Sequence, residues 1–388
     1  MKNLYKILTA VYCIFLINAD LHAQGCVAVR QMGGINAMSA SSSYNLGKGD
    51  FQVGANYRYF HSFRHFVGDV EQPQRQTLGN AVNIYSHALD INVSYGLTSR
   101  IQLNASVPFV HNERSQTLTL DKDAANKALT RYSVRAKGLG DIRLGINYWV
   151  FSPEKSHKGN LMIGAGIKLA TGAYGAKDDY LQTDGSMKNL VVDQAIQPGD
   201  GGVGFSLEFQ AFRQLHHRIY GFANAYYMLS PQESNGIARS APAKGLEGYE
   251  IFASPDQYFA RAGAMIVIGK SKNLAFSLAG RFEGIPAYDV VGGSVAYRRP
   301  GYVVAAEPGI TYRVGQHTFS LFVPYNFYKN RIQSAADKAS QDLTNSTITD
   351  PSKFVFKNGD AAFADYSISL GYSFRISKAV KVPTWNVN

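Results

Sequence analysis

The stretch FADYSISLGYSFRI, from Phe363 to Ile376, alternates with a period of two. Ala364, Tyr366, Ile368, Leu370, Tyr372, Phe374 and Ile376 fall on one side, and Phe363, Asp365, Ser367, Ser369, Gly371, Ser373 and Arg375 on the other. Successive side chains of a strand point to opposite faces, so this is a strand with one apolar and one mostly polar wall. The apolar wall is also ordered along its length, with Ile368 and Leu370 at its middle and Tyr366, Tyr372 and Phe374 at its flanks. A strand that crosses a bilayer has this profile, hydrocarbon at mid-height and aromatic rings at the interfaces.

The same alternation predicts strands at about 50–62, 84–97, 101–109, 139–151, 161–169, 202–212, 219–229, 257–268, 274–283, 302–313 and 319–327. The segment 219–229 is poorly phased, and its faces cannot be assigned from the pattern. In the eleven phased strands the polar wall carries Arg58, Asp90, Asp141, Arg143, Lys168, Glu208, Arg261, Arg281, Glu283, Glu307, Arg313, Asp365 and Arg375, and the apolar wall carries no charge. A charge facing lipid at mid-depth costs about 2 to 4 kcal/mol, so this asymmetry fits a wall bathed in hydrocarbon and another lining a wet interior. Connections after every second strand are short, and the intervening ones are long, polar and rich in Gly, Asp, Lys and Ser. The expectation is an all-β fold, an antiparallel transmembrane β-barrel of about 12 strands of the outer-membrane type, closed so that no sheet edge is left bare. A soluble sandwich also alternates, but it has no need of aromatic strand ends or of short and long connections in strict turn.

Composition agrees with a strand-crossing protein. The chain of 388 residues is 45% hydrophobic with 24 Tyr, yet its mean hydropathy is only -0.16, because alternating strands dilute their apolar residues. After the first twenty positions no run of about 18 apolar residues occurs, which excludes helical spans. MKNLYKILTAVYCIFLINADLHA has Lys2 and Lys6, an apolar core from Ile7 to Ile17 and a small residue at Ala23, the layout of a secretory signal over 1–23. Residues 24–48 read as a periplasmic lead-in, 49–377 as the barrel, and 378–388 as a periplasmic tail. With Cys13 in the signal, Cys26 is the one cysteine of the mature chain, so no internal disulfide forms. Ala23-Gln24-Gly25-Cys26 lacks the leading Leu of a lipoprotein box, and an unmodified cysteine is expected. The formal charge of +11 comes from 39 scattered Lys and Arg. Without a basic run or a zinc or helix-turn-helix pattern, it points to anionic lipid headgroups or lipopolysaccharide and not to nucleic acid.

Several motifs invite chemistry and have simpler readings. Gly199-Asp200-Gly201-Gly202-Val203-Gly204 matches a nucleotide fingerprint, but a loop precedes it and a strand follows, so it reads as a loop-to-strand glycine run. His216-His217 lacks a third ligand and reads as a turn. Asp178, Asp179, Asp184, Asp193 and Asp200 lack the spacing of a calcium loop. His87 and His111 lie at the height where a barrel phospholipase would hold its catalytic groups, yet no Asp-x-x-His-x-Ser stretch accompanies them. No enzyme activity, metal or cofactor is expected.

The final strand, with its Gly-x-x-aromatic-x-hydrophobic ending, resembles the closing strand of bacterial outer-membrane barrels. GLGDIRLGINYWVF from Gly138, LMIGAGIKLATG ending at Gly172, and YGLTSRIQLNASVPF at 95–109 resemble a family of outer-membrane transporters that includes barrels linked to meta-pathway degradation of phenols. Gly-x-Gly-Asp opens one strand and Lys-Leu-x-Thr-Gly closes the next; Ala170 stands where the family has Pro. The resemblance implies a channel or carrier for small, apolar molecules in the cell outer membrane of a Gram-negative bacterium, and it brings no catalytic residues.

Twelve strands enclose a narrow lumen, between the side-chain-filled eight and the open sixteen. Passive uptake of a small molecule is therefore expected, with loops such as 172–201 or 329–362 constricting the mouth. Arg143, Arg281, Glu283, Glu307 and Arg313 are the candidates for the constriction, against the alternative that they form a structural network holding the wall. The partners expected are outer-membrane lipid and lipopolysaccharide, a small-molecule solute, and the barrel assembly machinery during insertion. A non-conducting barrel with surface-interaction loops is the other function this sequence allows.

Overall fold

The computed structural model describes residues 45–123, 125–269 and 272–377. The expected signal segment, Cys26, most of the lead-in and the tail lie outside the described residues. Twelve antiparallel staves follow one another around a single sheet: β1 (Phe51–Val67), β2 (Asn83–Gly96), β3 (Ile101–Leu118), β4 (Thr130–Leu139 and Arg143–Trp149), β5 (Gly159–Lys168), β6 (Gly204–His216), β7 (Ile219–Leu229), β8 (Gln257–Ile268), β9 (Leu274–Ile285), β10 (Gly301–Val314), β11 (His317–Phe322 and Tyr325–Asn330) and β12 (Ala361–Ile376). The sheet closes where β12 pairs with β1, from Phe51↔Ile376 to Phe66↔Ala361. Closure pairs the staves around the ring, and the upper half of β4, Thr130–Leu139, is the stretch that pairs on one side only, with β3.

One end of the barrel carries short turns and the other long loops. The β6–β7 and β10–β11 turns are two residues each, His217-Arg218 and Gly315-Gln316, and Gly315 sits at φ 56, a left-handed value that glycine adopts freely. In the β2–β3 turn the Thr98 hydroxyl accepts hydrogen bonds from the Arg100 and Ile101 amides at 3.1 and 2.9 Å. Long connections hold their own structure, including a hairpin of Lys177–Leu181 with Met187–Val191 and a helix, Ala335–Asn345, capped by Ser334 and Asp337.

The wall that alternation marked as apolar faces outward. Leu89, Leu103, Leu144, Ile163, Leu207, Leu278 and Leu370 are all exposed, while Asp90, Arg143, Lys168, Arg261, Glu283, Glu307, Arg313 and Arg375 are buried inside. A soluble barrel would show the reverse. Aromatic rings border the apolar band at both ends. Phe51 and Tyr95 pair at 4.8 Å, and Phe319 and Tyr372 at 5.2 Å, near the short turns. Near the long loops Tyr258, Phe282, Tyr302 and Tyr328 run from β8 to β11 at 5.2 to 5.6 Å spacings. The separation of Tyr85 from Tyr95 along β2, at a rise of about 3.3 Å per residue and a tilt of about 40°, corresponds to about 25 Å of height, the span of an outer-membrane barrel's hydrophobic band.

Three strand expectations need correction. The strand at 139–151 is the lower half of a stave that starts at Thr130 and breaks at 140–142. Pro108 on β3 stands opposite the break and has no amide to offer; instead its carbonyl accepts from Gly140 N at 2.8 Å. The Thr171 hydroxyl bridges the break, accepting from Ile142 N at 2.8 Å and donating to the Gly140 carbonyl at 2.9 Å. The stave at 319–327 is likewise in two pieces, parted at Val323-Pro324 for want of the proline donor. Finally β3 runs on to Leu118, since its far end pairs with the upper half of β4 from Phe109↔Leu139 to Leu118↔Thr130.

Candidate functional site: the lumen and its inserted loop

The lumen is filled in three tiers. Nearest the short turns, Trp149, Met162, Phe212, Tyr220, Phe222, Met265 and Val267 pack into one buried apolar cluster on the inner faces of β4 to β8. This tier explains the unphased strand. β7 turns Tyr220, Phe222, Asn224, Tyr226 and Met228 inward, and Ile219, Ala223, Ala225 and Leu229 outward. Both of its walls are apolar, so hydrophobicity could not distinguish them.

At mid-height an ionic network spans β8, β9 and β10. Glu307, 1% exposed, lies between two guanidinium groups: Arg281 donates to it at 2.6 Å, and Arg261 bonds its other oxygen. Arg281 also donates to Glu283 at 2.7 Å, and Arg261 to Asn224 on β7 at 3.0 Å. The cations lie against aromatic rings, Arg281 over Phe259 at 4.8 Å and Arg261 between Phe222 and Phe322 at 5.5 and 5.4 Å. Two carboxylates and two guanidiniums neutralise one another, which is the condition for keeping charge in a site so dry.

The third tier is supplied by the segment 192–200, which enters the barrel from the long-loop end. Val192, Ala195 and Ile196 pack on Ile84 of β2 and on Val134 and Ala136 of β4. Asn112 of β3 donates to the Ile196 carbonyl at 3.1 Å. Asp193 caps the short turn that follows by accepting from Ala195 N at 2.9 Å, and it takes both guanidinium nitrogens of Arg299 at 2.6 Å. Burial works to raise its pKa, but the Arg299 and Arg114 cations outweigh burial and hold the carboxyl well below the usual range. The segment's far end is fixed at the β4 break. Asp141 accepts from Gly172 N at 3.0 Å and from Asp200 N at 3.1 Å, and Lys168 binds Asp200 directly. A second loop closes the rim beside β1, where Asp360 takes His65 at 2.8 Å and Arg75 at 2.7 Å.

Of the five residues expected at the constriction, the structure brings Arg281, Glu283 and Glu307 together. Arg143 lies apart, at the β4 break, in a small recess lined also by Arg58, Asp90, Asp141, Pro108 and Pro198. Arg313 is near the short turns, in register with Thr318. Arg261 belongs to the network, although the pattern marks it only as inward-facing; its place on the face of Phe259 and Gly263, alternating with Ala260 and Ala262, is the available signal. Arg299 and Asp193 were beyond sequence reach, because two loops 106 positions apart carry them. Among the described residues no group of three or more His, Cys, Asp or Glu converges as a metal site. The loop aspartates have separate partners instead, Asp178 with Arg135 N and Asp179 with Asn189. The Gly199–Gly204 run leads from loop into β6 as expected, and His216-His217 ends β6 at a turn.

No protein-family model matches the sequence, and no curated protein matches it. Among solved structures the chain is similar to an outer membrane channel of Pseudomonas putida F1, at 11% identity over 85% of this chain and 97% of that one, with a TM-score of 0.51. It is also similar to the toluene transporter TodX of Pseudomonas putida, at 11% identity over 89% and 94% with a TM-score of 0.41. A FadL homologue of Pseudomonas aeruginosa matches at 9% identity over 92% and 96%, also with a TM-score of 0.41. The likeness to the Pseudomonas putida F1 channel shows the fold: this chain is a closed antiparallel β-barrel of the outer-membrane type.

Proposed function

We propose that the protein is a channel of the bacterial outer membrane for passive uptake of small apolar molecules, aromatic ones among them. The observation that carries this reading is the chemistry of the lumen wall. Phe222, Phe259 and Phe322 pack against the mid-height network, and the charges there are matched within the wall, so a solute that parts this packing meets rings and an ion meets little field. A small aromatic solute stacks on such faces and also tolerates the guanidinium edges. The long loops face outward from the cell and the short turns face the periplasm, and an even number of staves then leaves both termini periplasmic. The resemblance to barrels linked to phenol degradation narrows the solute to phenols and related rings. No residue is assigned a catalytic role.

Proteoliposomes loaded with a reporter for each solute test the proposal. Toluene- and phenol-class solutes are expected to enter at least about tenfold faster than sugars of similar mass, on the basis of about 1.4 kcal/mol difference in barrier. Equal rates, or preference for sugars, would overturn it. The seated segment 192–200 favours the other reading, a non-conducting barrel whose loops contact partners. Silence in both planar-bilayer conductance and liposome uptake would establish that one.

A further inference from the structure

The outward face of β1 to β4 near the long loops carries groups that transport does not use. Tyr59 stands opposite His87, His87 opposite His111, and His111 opposite Lys137, so four neighbouring staves present one straight cross-strand row. The row directly below, toward mid-barrel, is Tyr57, Leu89, Phe109 and Leu139. His87, His111 and Lys137 are therefore the first polar groups met above the hydrophobic band. His111 and Lys137 are exposed and His87 is half-buried. The Tyr57 hydroxyl pairs with His87 Nδ1 at 2.7 Å, which fixes that ring and leaves Nε2 as its remaining polar atom. One row higher, the Glu113 carboxylate is already held by Arg135 at 2.8 Å.

On the other side of the barrel the same level is built differently. Tyr227, Tyr258, Phe282, Tyr302 and Tyr328 form a continuous aromatic belt with centroid spacings of 5.2 to 6.4 Å. Such a belt suits any interface. A row of two imidazoles and an ammonium offers ring N–H donors beside one cation, a set that suits an anion, and it lies on the lipid side of the wall at headgroup height. Directly opposed positions on adjacent strands are about 5 Å apart, so the three groups span about 10 Å. That is the footprint of a phosphate monoester together with the sugar oxygens beside it.

We propose that His87, His111 and Lys137 form a binding site for a phosphorylated glycolipid of the outer leaflet, the phosphate being held by Lys137 and the two rings while the acyl chains lie along Leu89, Phe109 and Leu139. This rests on the outer-membrane placement proposed above and not on conduction. The test is retention of bis-phosphorylated lipid A by the full-length protein in detergent, read by native mass spectrometry and by titration. Dephosphorylated lipid A and inorganic phosphate form the comparison arms.

The wild type is expected to bind the phosphorylated lipid at least about tenfold more tightly than the dephosphorylated one, with no measurable binding of inorganic phosphate. The triple variant His87→Gln, His111→Gln, Lys137→Gln is expected to lose that preference while keeping the wild-type heat-modifiable migration and solute uptake. Lys137→Arg alone is expected to retain the preference, since the charge stays. Equal affinity for the two lipids in the wild type, or an unchanged preference in the folded triple variant, would overturn the site. Because uptake is measured separately, a failed channel reading leaves this result readable.

Discussion

Replacing Glu307 with alanine is expected to destabilise the barrel by about 3 to 5 kcal/mol, the usual penalty for stranding buried charge by removing its partner. Glu307 is the shared acceptor of Arg261 and Arg281, and the side chains of all three are at most 6% exposed. Alanine would leave both guanidiniums facing one carboxylate, Glu283, which only Arg281 reaches. The temperature at which the folded band converts to the unfolded one on a mild-detergent gel should fall well below the wild-type value. The quadruple replacement Arg261→Met, Arg281→Met, Glu283→Gln, Glu307→Leu should recover most of the loss, because it removes every charge of the network together and strands none in the dry interior. An unchanged conversion temperature for Glu307→Ala would mean that the network does not hold the wall.

A second large effect is expected at the inserted segment. Asp193→Ala removes the acceptor of the Arg299 fork and of the Ala195 amide together. Charge-assisted hydrogen bonds in a partly buried site contribute about 1.5 to 3 kcal/mol, so the seated segment should lose about 2 kcal/mol. Every 1.4 kcal/mol is tenfold in population, so the unseated state should rise about 30-fold. The barrel ladder does not depend on this contact, so heat-modifiable migration should stay near wild type. Solute entry into proteoliposomes should rise, and planar bilayers should show longer openings. If Asp193→Ala folds normally and neither uptake nor conductance changes, the segment is a fixed part of the wall and not a barrier to passage. Arg299→Ala should reproduce the effect from the other side, as the pair acts as one unit.

The barrel was legible in the sequence because its alternation is enforced residue by residue. A charge misplaced onto the outer wall of β2 or β12 would meet lipid, so Leu89 and Leu370 report their direction as plainly as Asp90 and Arg375 do. β7 shows where this logic ends, since Tyr220, Phe222 and Met228 are inside and apolar, and the pattern loses its contrast. The break in β4 was legible only in part. Gly138, Gly140 and Pro108 are visible in the sequence, but that Pro108 stands against Gly140 depends on the register of β3 with β4.

For the site, the sequence pointed to Arg281, Glu283 and Glu307 because all three face inward on neighbouring staves. It did not separate them from Arg143 and Arg313, because height within a tilted barrel follows from the stagger of every earlier strand. The inserted segment was anticipated as a loop that constricts the mouth. Its anchoring by Asp193 and Arg299 depends on how two loops fold over the rim, and no periodicity encodes that.

If lipid touches the outer wall and protein fills the inner one, depth-dependent quenching by brominated lipid shows it directly. Two single-tryptophan proteins suffice. One carries Leu207→Trp, at an outward position that is 58% exposed, with Trp149→Phe and Trp385→Phe. The other keeps the native Trp149, 1% exposed in the lumen, with Trp385→Phe. In bilayers with bromines at mid-chain, the tryptophan at 207 should be strongly quenched and Trp149 left near its unquenched intensity. Quenching of Trp149 with none at position 207, or a protein that stays soluble and monomeric without detergent or lipid, would contradict the account.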